Sequence, residues 1–413
     1  MVVGTRPFNV VLWGSTGFTG RLVAEHMMQS YAKDDIRWAM AGRSKEKVQT
    51  IRDSLAEKYG VDAESVPILV GDSNDLASLE SIASSTDVIL STAGPFSLYG
   101  TNVVDAAVLN GCDYVDITGE TPWVQGMIRK HHETAKQKGI RIIPCCGYDS
   151  TPSDMGAWVV EREAKRRGKK LVSARTMLLD SRGGVSGGTI ASGLEIAADP
   201  ENRKKDLSPY AFIPEGETKG EDKDVWVPKT HMGVTLAPTI MQAINSRVVQ
   251  RSNYLLDWGK SSFSYSEMIA VKSKVQAWMV SIATGIGVFL FSQPWLHGLL
   301  KKIVPAPGQG PSRELMMSGY YKHLVVGETE DGEHIFGEFS DSSRDPGYWG
   351  TSRLVLEAAL CLALNKKELD ECPDVLHGGV LTPASALGPV LQKRLEDAGI
   401  VCRITESPDS IQY

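Results

Sequence analysis

The sequence predicts an α/β protein that begins with a doubly wound parallel sheet and continues into a second, α+β domain. Short apolar runs alternate with amphipathic stretches through the first 146 residues, a pattern typical of parallel strands covered by helices on both faces. The first apolar run leads directly into a glycine turn and a helical pattern, as in Rossmann-type folds. The chain of 413 residues is also too long for one compact core, so we expect about two domains.

The elements of the first domain are predicted to follow one another as strand, helix, strand. Apolar runs predict strands at 9–13, 36–41, 66–70, 87–91, 113–117 and 140–145. Amphipathic stretches predict helices at 18–30, 45–59, 75–84, 101–110 and 121–138. Each of these helices suits a right-handed crossover between parallel strands.

Past residue 150 the alternation stops, and we divide the chain into three parts. Residues 1–152 are expected to form the Rossmann-type domain. Residues 153–345 are expected to form an α+β domain for substrate binding or dimerisation. Residues 346–413, with helical patterns at 347–364 and 377–399, are expected to pack back on the first domain as a helical segment.

Composition excludes several classes of function. A net charge of −6 provides no basic surface for nucleic acid. The six cysteines contain no C-x-x-C pair, and the histidines have no metal-ligand spacing, so neither a disulfide framework nor a metal site is expected. Residues 1–9 lack the apolar stretch of a secretory signal, which places the protein on the cytosolic side of membranes.

One later segment, 275–300, contains no charged residue, has Trp278 and Trp295 near its ends and is flanked by lysines. Three interpretations remain open. The first is an interfacial helix or shallow hairpin on a membrane or lipid droplet. The second is a buried helix or a homodimer interface, and the third is a membrane span. Its uninterrupted apolar part, 277–291, is shorter than the ~20 residues that a span needs.

The glycine turn after the first strand predicts a dinucleotide cofactor. A strand, a tight turn and a helix bring backbone N–H groups and the positive end of a helix dipole to one point, where a pyrophosphate binds. The spacing is G-x-x-G-x-x-G, one residue wider at the first interval than the common fingerprint. The residues assigned to this turn are Gly14, Ser15, Thr16, Gly17, Phe18, Thr19 and Gly20.

The end of the second strand distinguishes NADPH from NADH. Gly42, Arg43 and Ser44 follow that strand, and an arginine there binds a 2′-phosphate, whereas an acidic residue would accept from a ribose hydroxyl. Asp34 and Asp35 lie about 20 residues after the first glycine, where an acidic residue is often found, but they precede the strand and so belong to its other end. The sequence therefore predicts NADP as the cofactor.

Loops after the third, fourth and sixth predicted strands contain the remaining candidate residues for cofactor binding and catalysis. Asp72 is predicted to meet the adenine, because ligands of such sheets lie beyond the carboxyl ends of the strands. The same argument places Ala93, Gly94 and Pro95 near the nicotinamide ribose. Hydride transfer also needs a proton source and a group that stabilises oxyanion charge. The candidates for these roles are Tyr148, Asp149 and Ser150.

Several motifs together resemble one family. They are RPF at 6–8, GSTGFTG at 14–20, AGRS at 41–44, AGPF at 93–96, YG at 99–100, YVDITGE at 114–120 and GYDS at 147–150. Later blocks are RVVQRSN at 247–253, PGQGPSR at 307–313 and GVLTPA at 379–384. The chain resembles the saccharopine dehydrogenase-like oxidoreductases over nearly its whole length. The later blocks are similar to mycobacterial trans-acting enoyl reductases, which act in phthiocerol lipid and phenolic glycolipid synthesis, and to eukaryotic relatives on lipid droplets.

The resemblance implies an NADPH-dependent oxidoreductase that reduces an enoyl or carbonyl group of a lipid or acyl substrate. It departs from the family at Tyr148, where phenylalanine is common, so a phenol cannot be the shared proton donor. Two alternatives remain: a non-catalytic NADP(H)-binding sensor or scaffold on lipid droplets or membranes, and saccharopine dehydrogenase-type amino-acid chemistry. The last would recruit Arg175, Arg182 and Arg247 to bind several carboxylates.

Overall fold

The first domain contains a parallel sheet of seven strands in the order β13-β6-β5-β4-β1-β2-β3. The structure is a computed structural model that describes residues 6–183, 208–222, 224–291, 293 and 310–406. The strands of this sheet are β1 (Phe8–Trp13), β2 (Trp38–Gly42), β3 (Ile68–Val70), β4 (Thr86–Ser91), β5 (Asp113–Asp116), β6 (Arg141–Ile143) and β13 (Gly379–Val380). The six N-terminal strands have the order of a Rossmann fold. The predicted fold class is therefore confirmed.

Helices cover both faces of this sheet. They are α1 (Phe18–Ser30), α2 (Lys45–Tyr59), α3 (Leu76–Ser84), α4 (Phe96–Tyr99), α5 (Thr101–Asn110) and α6 (Thr121–Lys138). Ser44 and Asp75 start α2 and α3 by accepting hydrogen bonds from backbone N–H groups of the first turn, as N-cap residues do. Strand β2 is buried along its whole length.

The second sheet also has seven strands, in the order β14-β12-β11-β7-β10-β9-β8. They are β7 (Leu171–Arg182), β8 (Lys229–His231), β9 (Val234–Pro238), β10 (Ser264–Val271), β11 (Tyr320–Thr329), β12 (His334–Asp341) and β14 (Val401–Thr405). Strands β7 and β10 pair in parallel, and the other pairs are antiparallel. The sheet is therefore mixed, in agreement with the predicted α+β character.

The remaining described helices follow β6 in the chain. They are α7 (Thr151–Arg166), α8 (Gln242–Leu256), α9 (Lys274–Phe291), α10 (Arg313–Met317), α11 (Thr351–Leu364), α12 (Lys366–Glu371) and α13 (Pro383–Asp397). Helix α7 starts at the edge of the first sheet and packs against β11 and β12 of the second. Its buried Asp154 accepts hydrogen bonds from the Ser252 hydroxyl and the Ala384 N–H, and thereby fixes α7 to α8 and α13.

The C-terminal segment contains strands as well as the predicted helices. Helix α11 packs on α1, β1 and β4 of the first domain. The short strand β13 extends the first sheet beside β6, whereas β14 extends the second sheet beside β12. The sequence did not predict these strands: β13 has only two residues, too few to show a period, and β14 lies beyond the helical patterns at 347–364 and 377–399.

Helix α9 presents its large apolar side chains outward. Val275, Met279, Ile282 and Phe289 are 70%, 58%, 59% and 62% exposed, and their spacing places them on one side of the helix. The other side faces the protein through small residues, among which Ala277 is fully buried. Within the described ranges, no helix combines the length and the hydropathy that crossing a bilayer requires. Residues 292 and 294–300 of the predicted segment lie outside the described residues.

Candidate functional site

The glycine turn joins three elements so closely that side chains are excluded. Gly14 has a φ of +81°, and a Cβ atom there would lie 2.9 Å from the Ala93 nitrogen. A Cβ atom on Gly20 would lie 2.8 Å from the Thr92 hydroxyl and closer still to the Gly14 carbonyl oxygen. The turn is thus packed between β1, α1 and the loop after β4, as the predicted pyrophosphate site requires.

The rest of the turn is held in place from neighbouring elements. The Ser15 hydroxyl donates to the Ala41 carbonyl at 3.0 Å, and the Thr16 carbonyl accepts from Arg21. Gly17 is the N-cap of α1 and has no side chain to cap it, so backbone N–H groups of Phe18 and Thr19 begin the helix. This open helix start fits a phosphate group.

Because Gly20 has no room for a side chain, Gly20→Ala is expected to separate α1 from the turn. We expect the dissociation constant for NADPH to rise at least about ten-fold, the equivalent of ~1.4 kcal/mol, with a lower melting temperature. Gly126→Ala is the matched control, since a Cβ atom at this helical glycine meets nothing within 4 Å and alanine favours a helix. Fluorescence titration with NADPH measures the effect; equal behaviour of the two variants would contradict the packing argument.

The predicted 2′-phosphate site lies where β2 ends. Arg43 is exposed, and its guanidinium carbon lies 5.7 Å from the centre of the Tyr99 ring, an arrangement typical of a cation–π contact. A Cβ atom on Gly42 would lie 3.1 Å from Val48, so the backbone here is close to α2. The Ser44 hydroxyl accepts from the Lys47 N–H at 3.3 Å. The structure therefore assigns Ser44 a helix cap and leaves Arg43 as the cation at this end.

Two further predicted segments lie along the same edge of the sheet. Asp72 is half-buried after β3, where its Oδ1 accepts from the Asn74 N–H at 2.9 Å. Ala93 contacts the glycine turn, as described above, and Gly94 and Pro95 lead from it into α4. In the sheet, β4 lies directly beside β1, whereas β3 lies beyond β2.

Two buried acids, one at the end of β5 and one in the loop that follows it, have structural roles. The Glu120 carboxylate accepts from the Phe96 and Ser97 N–H groups at 2.7 and 2.9 Å and thereby caps α4. Asp116 accepts from Tyr114, Thr118 and Cys145, although burial raises its pKa to about 7. Because backbone N–H groups and a tyrosine hydroxyl occupy these carboxylates, neither acid is a good proton donor to a ligand.

The loop after β6 holds Tyr148, Asp149 and Ser150 at the carboxyl edge of the sheet. Asp149 is half-buried, and burial raises its pKa to about 6. In the part of the chain that the structure describes, no hydrogen-bond donor contacts its carboxyl group. The Ser150 hydroxyl, in a residue 1% exposed at the start of α7, also lacks a partner among the described residues. Tyr148 is half-buried, with its hydroxyl 2.9 Å from His323 Nε2.

Residues of the second domain complete this site, and sequence reasoning missed them. His323 lies on β11 and Glu267 on β10. Glu267 accepts from Asn245 at 2.7 Å and from the Ser153 hydroxyl at 3.0 Å. Burial raises its pKa to about 7, and the charge of Asp149 adds to this shift. In the sequence, the signal for His323 and Glu267 was that each is a titratable residue within a stretch that otherwise has the pattern of a strand.

The three arginines considered for a substrate with several carboxylates do not form one site. Arg247 is buried and pairs with Asp224 at 3.0 Å. Arg175 donates to the Ser266 hydroxyl, and Arg182 is exposed seven residues further along β7. Along a strand this separation is about 23 Å, so Arg175 and Arg182 cannot hold the same small molecule.

Together, the Rossmann order, the tightly packed glycine turn and the arginine after β2 are typical of a nucleotide-dependent oxidoreductase. Residues 10–143 match the saccharopine dehydrogenase NADP-binding domain. The protein is therefore an NADP-dependent oxidoreductase, and the predicted cofactor is confirmed. The glycine turn and Arg43 are suited to hold NADP, because the uncapped start of α1 offers N–H groups to a pyrophosphate and an exposed guanidinium suits a 2′-phosphate.

Similarity to known proteins extends over the whole chain. A putative trans-acting enoyl reductase of Mycobacterium tuberculosis is 36% identical, with 98% of this chain and 99% of the relative aligned. A trans-acting enoyl reductase of Mycobacterium leprae is 33% identical, with 97% and 98% aligned. The chain belongs to the saccharopine dehydrogenase-like oxidoreductases, in the group that includes the trans-acting enoyl reductases. This confirms the resemblance inferred from the motifs.

The fold of this family is also seen in a solved structure. Apo saccharopine dehydrogenase (L-Glu forming) of Saccharomyces cerevisiae is similar with a TM-score of 0.51 and 15% identity, over 96% of this chain and 99% of that one. At this identity the similarity concerns the fold alone.

Proposed function

We propose that the protein uses NADPH to reduce the enoyl group of an acyl substrate. The observation that carries the proposal is Asp149, an acid with a pKa of about 6 at the sheet edge that holds the glycine turn. A carboxyl group that is partly protonated near neutral pH suits a general acid. The relatives named trans-acting enoyl reductases support the choice of an enoyl group.

The proposed chemistry divides between cofactor and protein. Bound NADPH supplies a hydride. Asp149 supplies the proton that the reduced carbon chain also needs, and it regains a proton from water. Ser150 follows Asp149 directly at the start of α7, but its hydroxyl is buried, so we assign it no contact with the acyl group. Tyr148 precedes Asp149 in the same loop.

The test is NADPH consumption by purified protein with a panel of enoyl thioesters of increasing chain length. We expect loss of NADPH absorbance and a saturated product identified by mass spectrometry. Tight NADPH binding without consumption across the panel would favour the sensor or scaffold instead. Consumption only with a keto acid and an amino acid together would favour saccharopine-type chemistry.

We also propose that α9 attaches the protein to the surface of a membrane or lipid droplet, where acyl substrates of low solubility are found. The outward face described above, with Trp278 53% exposed, has the composition of an interfacial helix. Lys272 and Lys274 lie at its N-terminal end and complement anionic headgroups. A membrane therefore fits this face better than a second copy of the chain, which would leave these charges without partners.

Replacing two apolar residues of this face tests the attachment. Ile282→Asp combined with Phe289→Asp is expected to weaken vesicle binding at least about 100-fold, since each buried apolar side chain contributes roughly 1.5–3 kcal/mol. Leu364→Asp, a change at an exposed residue of α11, is the control. Flotation with vesicles containing anionic lipid measures binding. Equal flotation of both variants, or loss of a dimer instead of vesicle binding, would contradict the proposal.

A further inference from the structure

Contacts from both domains hold the backbone and the side chain of Tyr148 in place. Its backbone N–H donates to the Thr351 hydroxyl at 3.1 Å. Its ring contacts Tyr321 edge-on at 4.8 Å between ring centres, and its hydroxyl lies 2.9 Å from His323 Nε2. Because His323 and Tyr321 lie on β11 while Tyr148 follows β6, the phenol is fixed at the junction of the two sheets.

The environment of His323 determines which group donates in this pair. His323 is 4% exposed, and burial lowers its pKa to about 3, so the ring is neutral and carries one N–H. Its Nδ1 has no partner among the residues that the structure describes. A buried N–H without an acceptor is costlier than a lone pair without a donor. The hydrogen therefore belongs on Nε2 and is donated to the Tyr148 oxygen.

With its oxygen accepting from His323, Tyr148 directs its own hydrogen toward another group. The ring is half-buried beside Asp149, which is half-buried as well, whereas His323 lies behind it in the interior. Strand β6 is three positions from β1 in the first sheet, about 14 Å away. The phenol thus follows β6 at the edge of the sheet that also holds the glycine turn, and it is next to the proposed acid in the chain.

We propose that Tyr148 donates a hydrogen bond to the carbonyl oxygen of an α,β-unsaturated acyl substrate, and that His323 is the positioning residue that orients it. This inference rests on the proposed enoyl reduction and names its substrate class. A carbonyl conjugated to the double bond is required, so isolated alkenes are excluded.

The electron balance explains the need for this donor. When the hydride bonds to the β-carbon, the π electrons of the double bond move toward the carbonyl and form an enolate, with the charge on oxygen. Proton transfer from Asp149 to the α-carbon restores the carbonyl, and NADPH is oxidised to NADP⁺. Burial, followed by the charges of Glu267 and Asp149, raises the pKa of Tyr148. The phenol therefore stays protonated and stabilises the enolate as a neutral donor.

The strength of one hydrogen bond limits the size of this contribution. One hydrogen bond to a carbonyl oxygen that gains charge contributes roughly 1.5–3 kcal/mol. We therefore expect an effect of about ten- to a hundred-fold, without loss of cofactor binding.

A pair of ligands that differ only in the carbonyl tests the inference apart from turnover. Calorimetry with NADP⁺ present compares a saturated acyl thioester with the corresponding thioether. We expect wild-type protein to bind the thioester at least about ten-fold more tightly, and Tyr148→Phe to bind the two equally. Tyr321→Phe is the control, because it removes a buried hydroxyl from the same ring cluster and should keep the preference.

Substitutions at His323 separate positioning from packing. His323→Leu is expected to lose the preference for the thioester, whereas His323→Gln should restore part of it, since the glutamine amide donates from a similar position. The dissociation constant for NADPH should be the same in all variants. Equal binding of the two ligands by wild-type protein, or a preference that survives Tyr148→Phe, would overturn the inference. Absence of NADPH consumption with a preserved preference would instead overturn the proposed reduction.

Discussion

Asp149→Asn is expected to lower kcat for the enoyl thioester by about 10²- to 10⁴-fold, the usual contribution of a general acid. The amide has nearly the same shape as the acid, so the dissociation constant for NADPH should not change. The wild-type reaction needs the protonated acid, and burial raises the pKa of Asp149 to about 6. Activity of the wild type should therefore fall as pH rises through this value. The variant should lose this dependence on pH, which rate measurements across a pH series would show.

The same substitution should raise stability. The unfolded acid titrates near its ordinary pKa of 3.8, the folded one near 6. Between these values the folded state binds the proton more strongly, so the free energy of unfolding falls as pH rises through the interval. Asparagine does not ionise, so the variant does not lose unfolding free energy in this way. We expect a higher melting temperature for the variant at pH 8, with little change at pH 4. A lower melting temperature together with low activity would show that Asp149 is structural.

Arg43→Asp is expected to weaken NADPH binding by about 100-fold and to change NADH binding little. Hydrogen bonds to a charged phosphate contribute roughly 1.5–3 kcal/mol, and the new carboxylate would repel the 2′-phosphate. Arg43 lies at the carboxyl end of β2 and is stacked on Tyr99. Equilibrium titrations with the two nucleotides measure the ratio of the dissociation constants.

The control for this change lies beyond the opposite end of the same strand. Arg37 is exposed just before β2, at the opposite end from the glycine turn, so Arg37→Asp changes the net charge equally without facing the nucleotide. We expect it to retain the preference for NADPH. An equal loss of NADPH and NADH affinity in Arg43→Asp would show that the arginine supports the fold of this edge instead of recognising the phosphate.

The nucleotide half of the site was predictable because its signals are local. A strand, seven residues of turn and a helix lie within 8–30 of the sequence, and α1, α2, α5 and α6 begin and end where the pattern predicts. The two Asp residues near position 35 were correctly set aside, since β2 begins after them at Trp38. Local steric and capping rules therefore determine most of this domain.

The catalytic half depends on contacts between distant residues. Tyr148 and His323 are separated by 175 positions, and no short pattern connects a loop after β6 to a strand of another sheet. The raised pKa of Asp149 likewise arises from burial, which depends on how α7 and the second sheet close over the loop. The sequence was sufficient to name Asp149 as a candidate. Only the assembled domains distinguish it from Asp116 and Glu120, whose carboxylates already accept hydrogen bonds.

The pairing of β13 with β6 has a consequence for how the chain folds during synthesis. Gly379 and Val380 lie beside Arg141 and Ile142, so the last strand of the first sheet is made long after the other six. At about 5–20 residues per second, translation of the intervening chain takes roughly 10–50 s. During that interval the edge of β6 is unpaired and prone to association with other strands. The nucleotide domain therefore reaches its final form only after Gly379 and Val380 have emerged from the ribosome.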